Sequence, residues 1–165
     1  MTREQPFVDY LESLRENRGA LAGLRRGLGR APGEAREMYP YVVPWVALDA
    51  PRDREAAYYL IAALYAFHPM PGGSGNMGAH FTRTFEPGGD RTAVERRFTG
   101  LLTAHHDDLP FHLRQAVGVL KSKDVPVDWR RLLADLLAWS HPDGYVQKQW
   151  ARAFWGRAAD HTPDA

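Results

Sequence analysis

Apolar residues recur at helical spacing along most of the chain, and this periodicity constrains the fold more than any other feature. Phe7, Tyr10, Leu11 and Leu14 fall at positions i, i+3, i+4 and i+7, which places them on one face of an α-helix. Alternating apolar and polar runs typical of strands are nearly absent. The sequence therefore predicts an all-α helical bundle. Later apolar stripes are Leu21, Leu24 and Leu28; Phe98, Leu101, Leu102 and His105; Leu113, Val117 and Leu120; Trp129, Leu132, Leu133, Leu136, Leu137 and Trp139; and Val146, Trp150, Ala153 and Phe154.

Prolines and glycines divide these helical segments. Pro40 and Pro44 predict broken or irregular helix within residues 38–48, because proline removes a backbone donor and clashes with the preceding turn. Residues 69–78 form a loop rich in proline and glycine, which predicts a boundary between two small bundles. We therefore expect an N-terminal lobe over 1–68 and a C-terminal lobe over 79–165 that share an interface and form one compact unit.

Helix starts are indicated by residues that can bind free backbone amides. Asp53 is predicted to cap the helix over residues 56–67, and Asp128 the helix that begins with Trp129. Thr92 and Glu95 have the spacing of a capping box. These positions predict where helices begin in both halves.

The composition limits the class of protein. The chain has 165 residues, of which 44% are hydrophobic, enough apolar surface for a core. It has no cysteine, which excludes disulfides and thiolate metal sites. No stretch approaches the roughly 18 apolar residues of a membrane span. We expect a soluble, cytoplasmic protein that does not contact membranes.

A net charge of only +1 conceals three segments that contain cations and no acidic residue. Because screening by salt limits the range of each charge's electrostatic interactions to about 8–10 Å, distant acidic residues do not cancel these cations. Such segments can therefore create a strong local positive potential. A polyanion-binding surface is one interpretation, and ordinary solvated helix faces are the other. The cations are Arg18, Arg25, Arg26 and Arg30 within 17–33; Arg114, Lys121 and Lys123 within 109–123; and Lys148, Arg152 and Arg157 within 144–159.

Two basic stripes include glycine. If residues 20–30 are helical, Gly23, Arg26, Gly27 and Arg30 lie roughly opposite the leucines, and Arg114, Gly118 and Lys121 form a similar stripe. Glycine within a helix costs about 1 kcal/mol relative to alanine, so its presence suggests that another backbone approaches closely. That backbone could be a sugar–phosphate chain. Alternatively, the glycines admit a neighbouring helix, or the segment is frayed.

A run of histidine and aspartate offers the best case for catalysis. His105, His106, Asp107 and Asp108 resemble the ligands of all-helical HD-type metal-dependent phosphohydrolases, and His68, His80, His112 and His141 could complete such a site. However, neighbours on a helix point about 100° apart, and Asp107 and Asp108 suit the start of the next helix. We therefore predict no catalytic residues, metal or cofactor. The hydrolase remains a second hypothesis, and a scaffold for acidic protein partners a third.

An ordered series of short motifs resembles a known family. From Phe7 to Trp155 the chain is similar to CasB, the small subunit of the type I-E CRISPR surveillance complex called Cascade. No single motif is specific, and their order carries the resemblance. The motifs are Asn17–Leu21, Leu24–Gly27, Ala50–Arg52, Ala66–Pro69, Asn76–Gly78, Glu95–Phe98, His112–Arg114, Val127–Trp129, Asp135–Trp139 and Gln149–Arg152.

The resemblance implies a function in antiviral defence in which the subunit binds nucleic acid without recognising its base sequence. Such a subunit would contact the backbone and large subunits of Cascade and a second copy of itself. It would stabilise the crRNA–target DNA heteroduplex and the displaced non-target single-stranded DNA of the R-loop. By motif position, the resemblance implies nucleic-acid contacts at Arg26 and Arg52, then at Arg97 and Arg114, although Arg96 or Arg97 could instead form an ion pair. The charge pattern adds Lys121, Lys148, Arg152, Arg25 and Arg30.

Overall fold

The computed structural model describes residues 4–156, and these form nine α-helices without any β-strand. The predicted all-α class is therefore confirmed. None of the described helices is both long and apolar enough to cross a membrane. The helices are α1 (Glu4–Ser13), α2 (Arg18–Arg25), α3 (Tyr39–Val42), α4 (Arg52–Phe67), α5 (Met77–Thr82), α6 (Arg91–Leu102), α7 (Leu109–Ser122), α8 (Trp129–Leu137) and α9 (Tyr145–Trp155).

Helix α4 is the centre of the packing. It contacts α2, α3, α7 and α8, and its residues from Ala57 to Ala66 are almost all buried. Helix α1 packs against α8, while α5 and α6 pack against α9 and α6 also packs against α7. The buried hydrophobic side chains form one continuous cluster. The predicted division into two lobes at residues 69–78 stays a prediction; within residues 4–156, α8 from the second half packs against α1 and α4 from the first.

The segment before α4 is irregular, as its prolines predict. Two 3-10 turns, Arg36–Met38 and Val43–Trp45, flank the single turn of α3. Pro40 and Pro44 each lie near the start of one of these short elements, where a missing amide donor costs least. Met38 and Val42 are buried and fix the segment to the core.

Four of the described helices, α2, α5, α6 and α8, begin at a side-chain cap, but two predicted caps were wrong. Asp128 accepts a hydrogen bond from the Arg131 amide, as predicted. Asp90, rather than Thr92, caps α6, because the helix already begins at Arg91. Asp53 does not cap α4, which begins at Arg52 after Pro51. Asp53 instead lies in the first turn, where its negative charge interacts favourably with the positive end of the helix dipole.

Two of the motifs that suggested the family have a structural role. The buried Asp135 carboxylate accepts hydrogen bonds from Trp150 Nε1 at 2.7 Å and from Arg131 Nε at 3.2 Å. Burial raises the pKa of Asp135, while the Trp150 hydrogen bond lowers it. Trp139 packs against Trp150 with ring centroids 4.9 Å apart. The motifs at 135–139 and 149–152 thus connect α8 to α9.

A buried histidine makes the stability depend on pH. His80 is 1% exposed, and its Nε2 accepts a hydrogen bond from the Asp128 amide at 3.0 Å. Burial, with a contribution from Arg83, lowers the pKa of His80 from 6.5 to about 4. At this histidine the unfolded chain binds a proton more readily than the folded chain. The contribution of neutral His80 to the free energy of unfolding is therefore complete above the unfolded pKa and is lost as the pH falls toward the folded pKa.

We expect the unfolding free energy to fall by about 2 kcal/mol between about pH 7 and pH 4.5 from this residue alone. Urea denaturation at both pH values should show this loss in the wild type and in the exposed-histidine control His141→Gln, but not in His80→Gln. The raised pKa of Asp135 acts in the opposite direction in all three proteins and cancels in the comparison. An equal pH dependence in His80→Gln would contradict the assignment.

Candidate nucleic-acid interface

The first predicted stripe does not exist as a helical face. Helix α2 ends at Arg25, and residues 26–30 form successive turns in which Gly29 has φ +76°. A Cβ on Gly27 would collide with Met38 Sδ and lie 3.4 Å from Ala63 Cβ, so Gly27 faces the protein. The prediction that Gly27 lies among the arginines on an outer helical face was therefore wrong.

Close packing explains the glycines of this segment. A Cβ on Gly23 would lie 3.4 Å from the Glu37 carbonyl oxygen and 3.6 Å from Tyr41 Cε2. Glycine therefore admits the neighbouring 3-10 turn and α3. This agrees with the alternative in which the glycines accommodate another part of the protein, rather than a sugar–phosphate chain.

The cations of this segment nevertheless meet those of α7 at the C-terminal end of α4. Arg25 Nη1 donates a hydrogen bond to the Ala66 carbonyl oxygen at 3.3 Å. Lys121 Nζ lies 4.4 Å from the ring centroid of Phe67. Arg114 Nη1 lies 2.7 Å from the position that a Cβ on Gly29 would occupy. We group these three cations with Arg26 and Arg30, which are exposed in the run of turns after α2, and call the set the basic cluster: Arg25, Arg26, Arg30, Arg114 and Lys121.

The five side chains of the basic cluster are exposed and available to a ligand. None of them forms an ion pair with any residue from 4 to 156. In contrast, the neighbouring Lys123 is neutralised by Glu86 at 2.8 Å, and Arg130 is paired with Asp9 and Glu12. Unpaired cations in close proximity produce the positive potential that attracts a polyanion.

Helix α7 supplies the second stripe as the spacing predicts. It is helical from Leu109 to Ser122, and Leu113, Val117 and Leu120 are buried. A Cβ on Gly118 would have Phe67 Cε2 as its nearest neighbour at 4.0 Å. The half-buried Phe67 therefore lies beneath both Gly118 and Lys121. The sequence reasoning missed this role of Phe67, and its only signal was a large aromatic residue at the end of an otherwise buried helix.

The other predicted cations lie outside the basic cluster. Arg52 begins α4, so it lies about 22 Å from Phe67 along the helix axis. It lines a cleft of about 750 Å³ between the first half of α4, the start of α7 and the end of α8. Lys148 and Arg152 are exposed one turn apart on α9. Arg157 lies outside the described residues.

Arg97 is exposed on α6, and neither it nor Arg96 forms an ion pair with a described residue. Glu95 instead accepts a hydrogen bond from Trp155 Nε1 at 2.9 Å. The ion-pair alternative for the two arginines is therefore not what the structure shows. Arg97 remains a proposed contact on a helix separate from the basic cluster.

The histidine–aspartate run lies in a turn instead of a helix. Helix α6 ends at Leu102, so His105 does not continue its apolar stripe, and its side chain is 65% exposed. The prediction that His105 belongs to the apolar stripe of this helix was therefore wrong. Asp108 precedes α7 as predicted, but its side chain makes no capping hydrogen bond. Two histidines suggested as further ligands are bound elsewhere: His68 contacts the Val125 carbonyl oxygen and His80 the Asp128 amide.

Known proteins share this fold and much of this sequence. Superposition on a crystal structure of CasB from Thermus thermophilus gives a TM-score of 0.82 at 34% identity, over 94% of this chain and 99% of that chain. A protein in a structure described as a CRISPR RNA-guided surveillance complex matches with a TM-score of 0.79 at 26% identity, over 96% of each chain. The fold is thus that of the solved CasB structures.

The sequence comparison identifies the family. Residues 20–155 match the model of CRISPR-associated protein Cse2. The CRISPR-associated protein Cse2 of Thermus thermophilus is 37% identical over 164 residues, which cover 96% of this chain and 94% of that protein. The chain belongs to the Cse2 family.

Proposed function

We propose that this protein is a non-catalytic subunit of a crRNA-guided type I-E Cascade complex that holds nucleic acid by its sugar–phosphate backbone. The observation that carries the proposal is the basic cluster, in which residues 25–30 and α7 bring cations without an ion-pair partner among residues 4–156 to the same side of α4. Membership in the Cse2 family and the similarity to a chain of an RNA-guided surveillance complex support the assembly.

The cations of the cluster suit phosphate rather than bases. Arginine can bind a phosphate through two parallel hydrogen bonds, and each neutralised phosphate releases counterions. The ring of Phe67 packs against the ammonium group of Lys121 and holds it in place. The side chain of Lys121 therefore loses less conformational entropy when it binds a phosphate. Such contacts are independent of base sequence, so recognition can be left to pairing between guide and target.

Backbone contacts are sufficient for a useful effect in such a complex. The RNA–DNA heteroduplex is about as stable as the DNA duplex that it replaces, so modest protein contacts can tip the exchange. In this proposal the basic cluster binds the heteroduplex or the displaced non-target strand. Four cations outside the cluster extend the contacts to a second strand, to the backbone subunits and the large subunit of Cascade, or to a second copy of the chain. These cations are Arg52, Arg97, Lys148 and Arg152.

A titration of the purified full chain with fluorescent DNA tests this proposal against its two rivals. We expect weak binding of single-stranded and duplex DNA that is equal for oligonucleotides of different sequence and that weakens with salt. For single strands, the logarithm of the association constant should fall with the logarithm of the salt concentration, with a slope of about −0.7 per phosphate contacted. Adding a divalent metal should leave the length of the DNA unchanged.

The rival functions predict different results in the same experiment. No DNA affinity even at low salt would contradict the proposal and favour a scaffold that binds acidic proteins. Metal-dependent cleavage that is lost in Asp107→Asn would contradict it in favour of a phosphohydrolase. Since avidity in an assembly can amplify weak binding, the comparison should be repeated with the chain in a reconstituted complex.

A further inference from the structure

The turn between α6 and α7 brings together three side chains that can bind a metal ion. Donor atoms of His105, His106 and Asp107 all lie within 4.8 Å of one another. Asp107 Oδ2 is 3.4 Å from His105 Nδ1, and Asp107 Oδ1 is 3.1 Å from His106 Nε2. The argument that neighbouring residues point apart holds only on a helix, and α6 ends at Leu102.

These separations are close to those within a coordination sphere. Zinc–nitrogen distances of about 2.0–2.1 Å in a tetrahedral site place neighbouring ligand atoms about 3.3 Å apart. The carboxylate already has this spacing from both imidazoles, through one oxygen each, so binding requires that the two rings approach each other and that His105 Nδ1 exchanges the Asp107 amide for the ion. All three side chains are exposed and can rotate without repacking the core.

We infer that His105, His106 and Asp107 form a binding site for one divalent transition-metal ion, such as Zn²⁺, Ni²⁺ or Co²⁺. Imidazole nitrogens favour these ions, whereas Mg²⁺ prefers ligand sets made only of oxygen. The described residues supply three ligands, and water completes the coordination. His106 and Asp107 also line the cleft that contains Arg52, so the ion adds positive charge at its edge. The inference does not depend on the proposed function.

A second turn in the same protein provides a natural comparison. The Asp143 amide donates a hydrogen bond to His141 Nδ1 at 3.2 Å, just as the Asp107 amide donates to His105 Nδ1 at 3.3 Å. His141 Nδ1 and Asp143 Oδ2 are 3.9 Å apart. The residue between them is Pro142, so this turn offers two donors instead of three. If the third ligand is essential, only the 105–107 turn should hold an ion.

Calorimetric titration of the tag-free full chain with NiCl₂ tests the inference. We expect one ion bound per chain, and a Co²⁺ complex should show the visible absorption of nitrogen and oxygen ligands. Loss of an outer-shell partner alone weakens metal sites by about 10–100-fold, so removing a ligand in His106→Ala should weaken binding at least about tenfold. Asp107→Asn should also weaken it.

The controls separate a metal site from non-specific attraction. His141→Ala should bind Ni²⁺ as tightly as the wild type, and MgCl₂ should not bind measurably. The altered side chains are exposed, so circular dichroism and thermal unfolding should remain unchanged in each variant. The absence of a saturable isotherm in the wild type would overturn the inference. So would equal losses in His141→Ala and His106→Ala, or Mg²⁺ binding as tight as that of Ni²⁺.

Discussion

Replacing Gly78 with alanine is expected to destabilise the protein by more than about 3 kcal/mol, because it forces two backbones apart. Helix α5 packs directly on α9, and a Cβ on Gly78 would collide with the Trp150 carbonyl oxygen and lie 2.9 Å from its carbonyl carbon. Neither atom belongs to a side chain that could rotate away. Asn76 tightens the same contact by donating to the Gln149 carbonyl oxygen at 3.3 Å.

Gly118→Ala is the matched control, and its expected effect has the opposite sign. Gly118 lies within α7, and the nearest atom to its Cβ position is Phe67 Cε2 at an ordinary contact distance of 4.0 Å. Alanine should therefore stabilise the helix by up to about 1 kcal/mol. Urea denaturation of both variants measures the pair. A Gly78→Ala protein as stable as the wild type would show that α5 and α9 do not approach as closely as described.

Reversing two charges of the basic cluster is expected to remove most of its affinity for nucleic acid. In the double variant Arg114→Glu and Lys121→Glu, two cations that would bind phosphate become anions that repel it. Hydrogen bonds to charged groups contribute about 1.5–3 kcal/mol each, so DNA binding should weaken at least about tenfold at low salt. Both side chains are exposed and unpaired among residues 4–156, so the fold should be retained.

A second double variant changes the net charge equally at another place. Arg91 lies over the Phe85 ring at 4.3 Å, and Lys123 is paired with Glu86, so both cations belong to the surface around residues 85–86. Arg91→Glu with Lys123→Glu should therefore leave DNA affinity within a few-fold of the wild type. If both double variants weaken binding equally, net charge rather than the basic cluster determines the affinity.

The helical periodicity was sufficient to predict the buried faces but not where each helix ends. On α7 the residues Leu113, Val117 and Leu120 determine which side faces the core, so Arg114 and Lys121 must point away from it. The same reasoning failed after Arg25, where backbone hydrogen bonds between residues three apart replace the α-helical pattern and form turns up to Gly29, which has a positive φ. It failed again at His105, whose spacing continues the stripe of α6 beyond the end of that helix.

The composition of the basic cluster could not be predicted from local sequence. Arg25 and Lys121 are far apart in the chain and meet only because α2 and α7 both pack on α4. The turn at Gly29 then lies against the Arg114 side chain, although the predicted helical stripe that contained Arg26 and Arg30 does not form. The motif pattern indicated the family correctly, yet several motif residues hold helices together. Which cations share a surface depends on tertiary packing, which a single helix does not specify.

The central claim is that the basic cluster binds the phosphates of a nucleic acid, and the salt dependence of DNA binding tests it most directly. The dissociation constant of a fluorescent single strand should be measured over a series of salt concentrations for the wild type and for Arg114→Glu with Lys121→Glu. If two phosphate contacts are lost, the slope of the logarithm of the dissociation constant against the logarithm of the salt concentration should decrease by about 1.4. Parallel lines for the two proteins would show that these cations do not contact phosphate, and would contradict the claim.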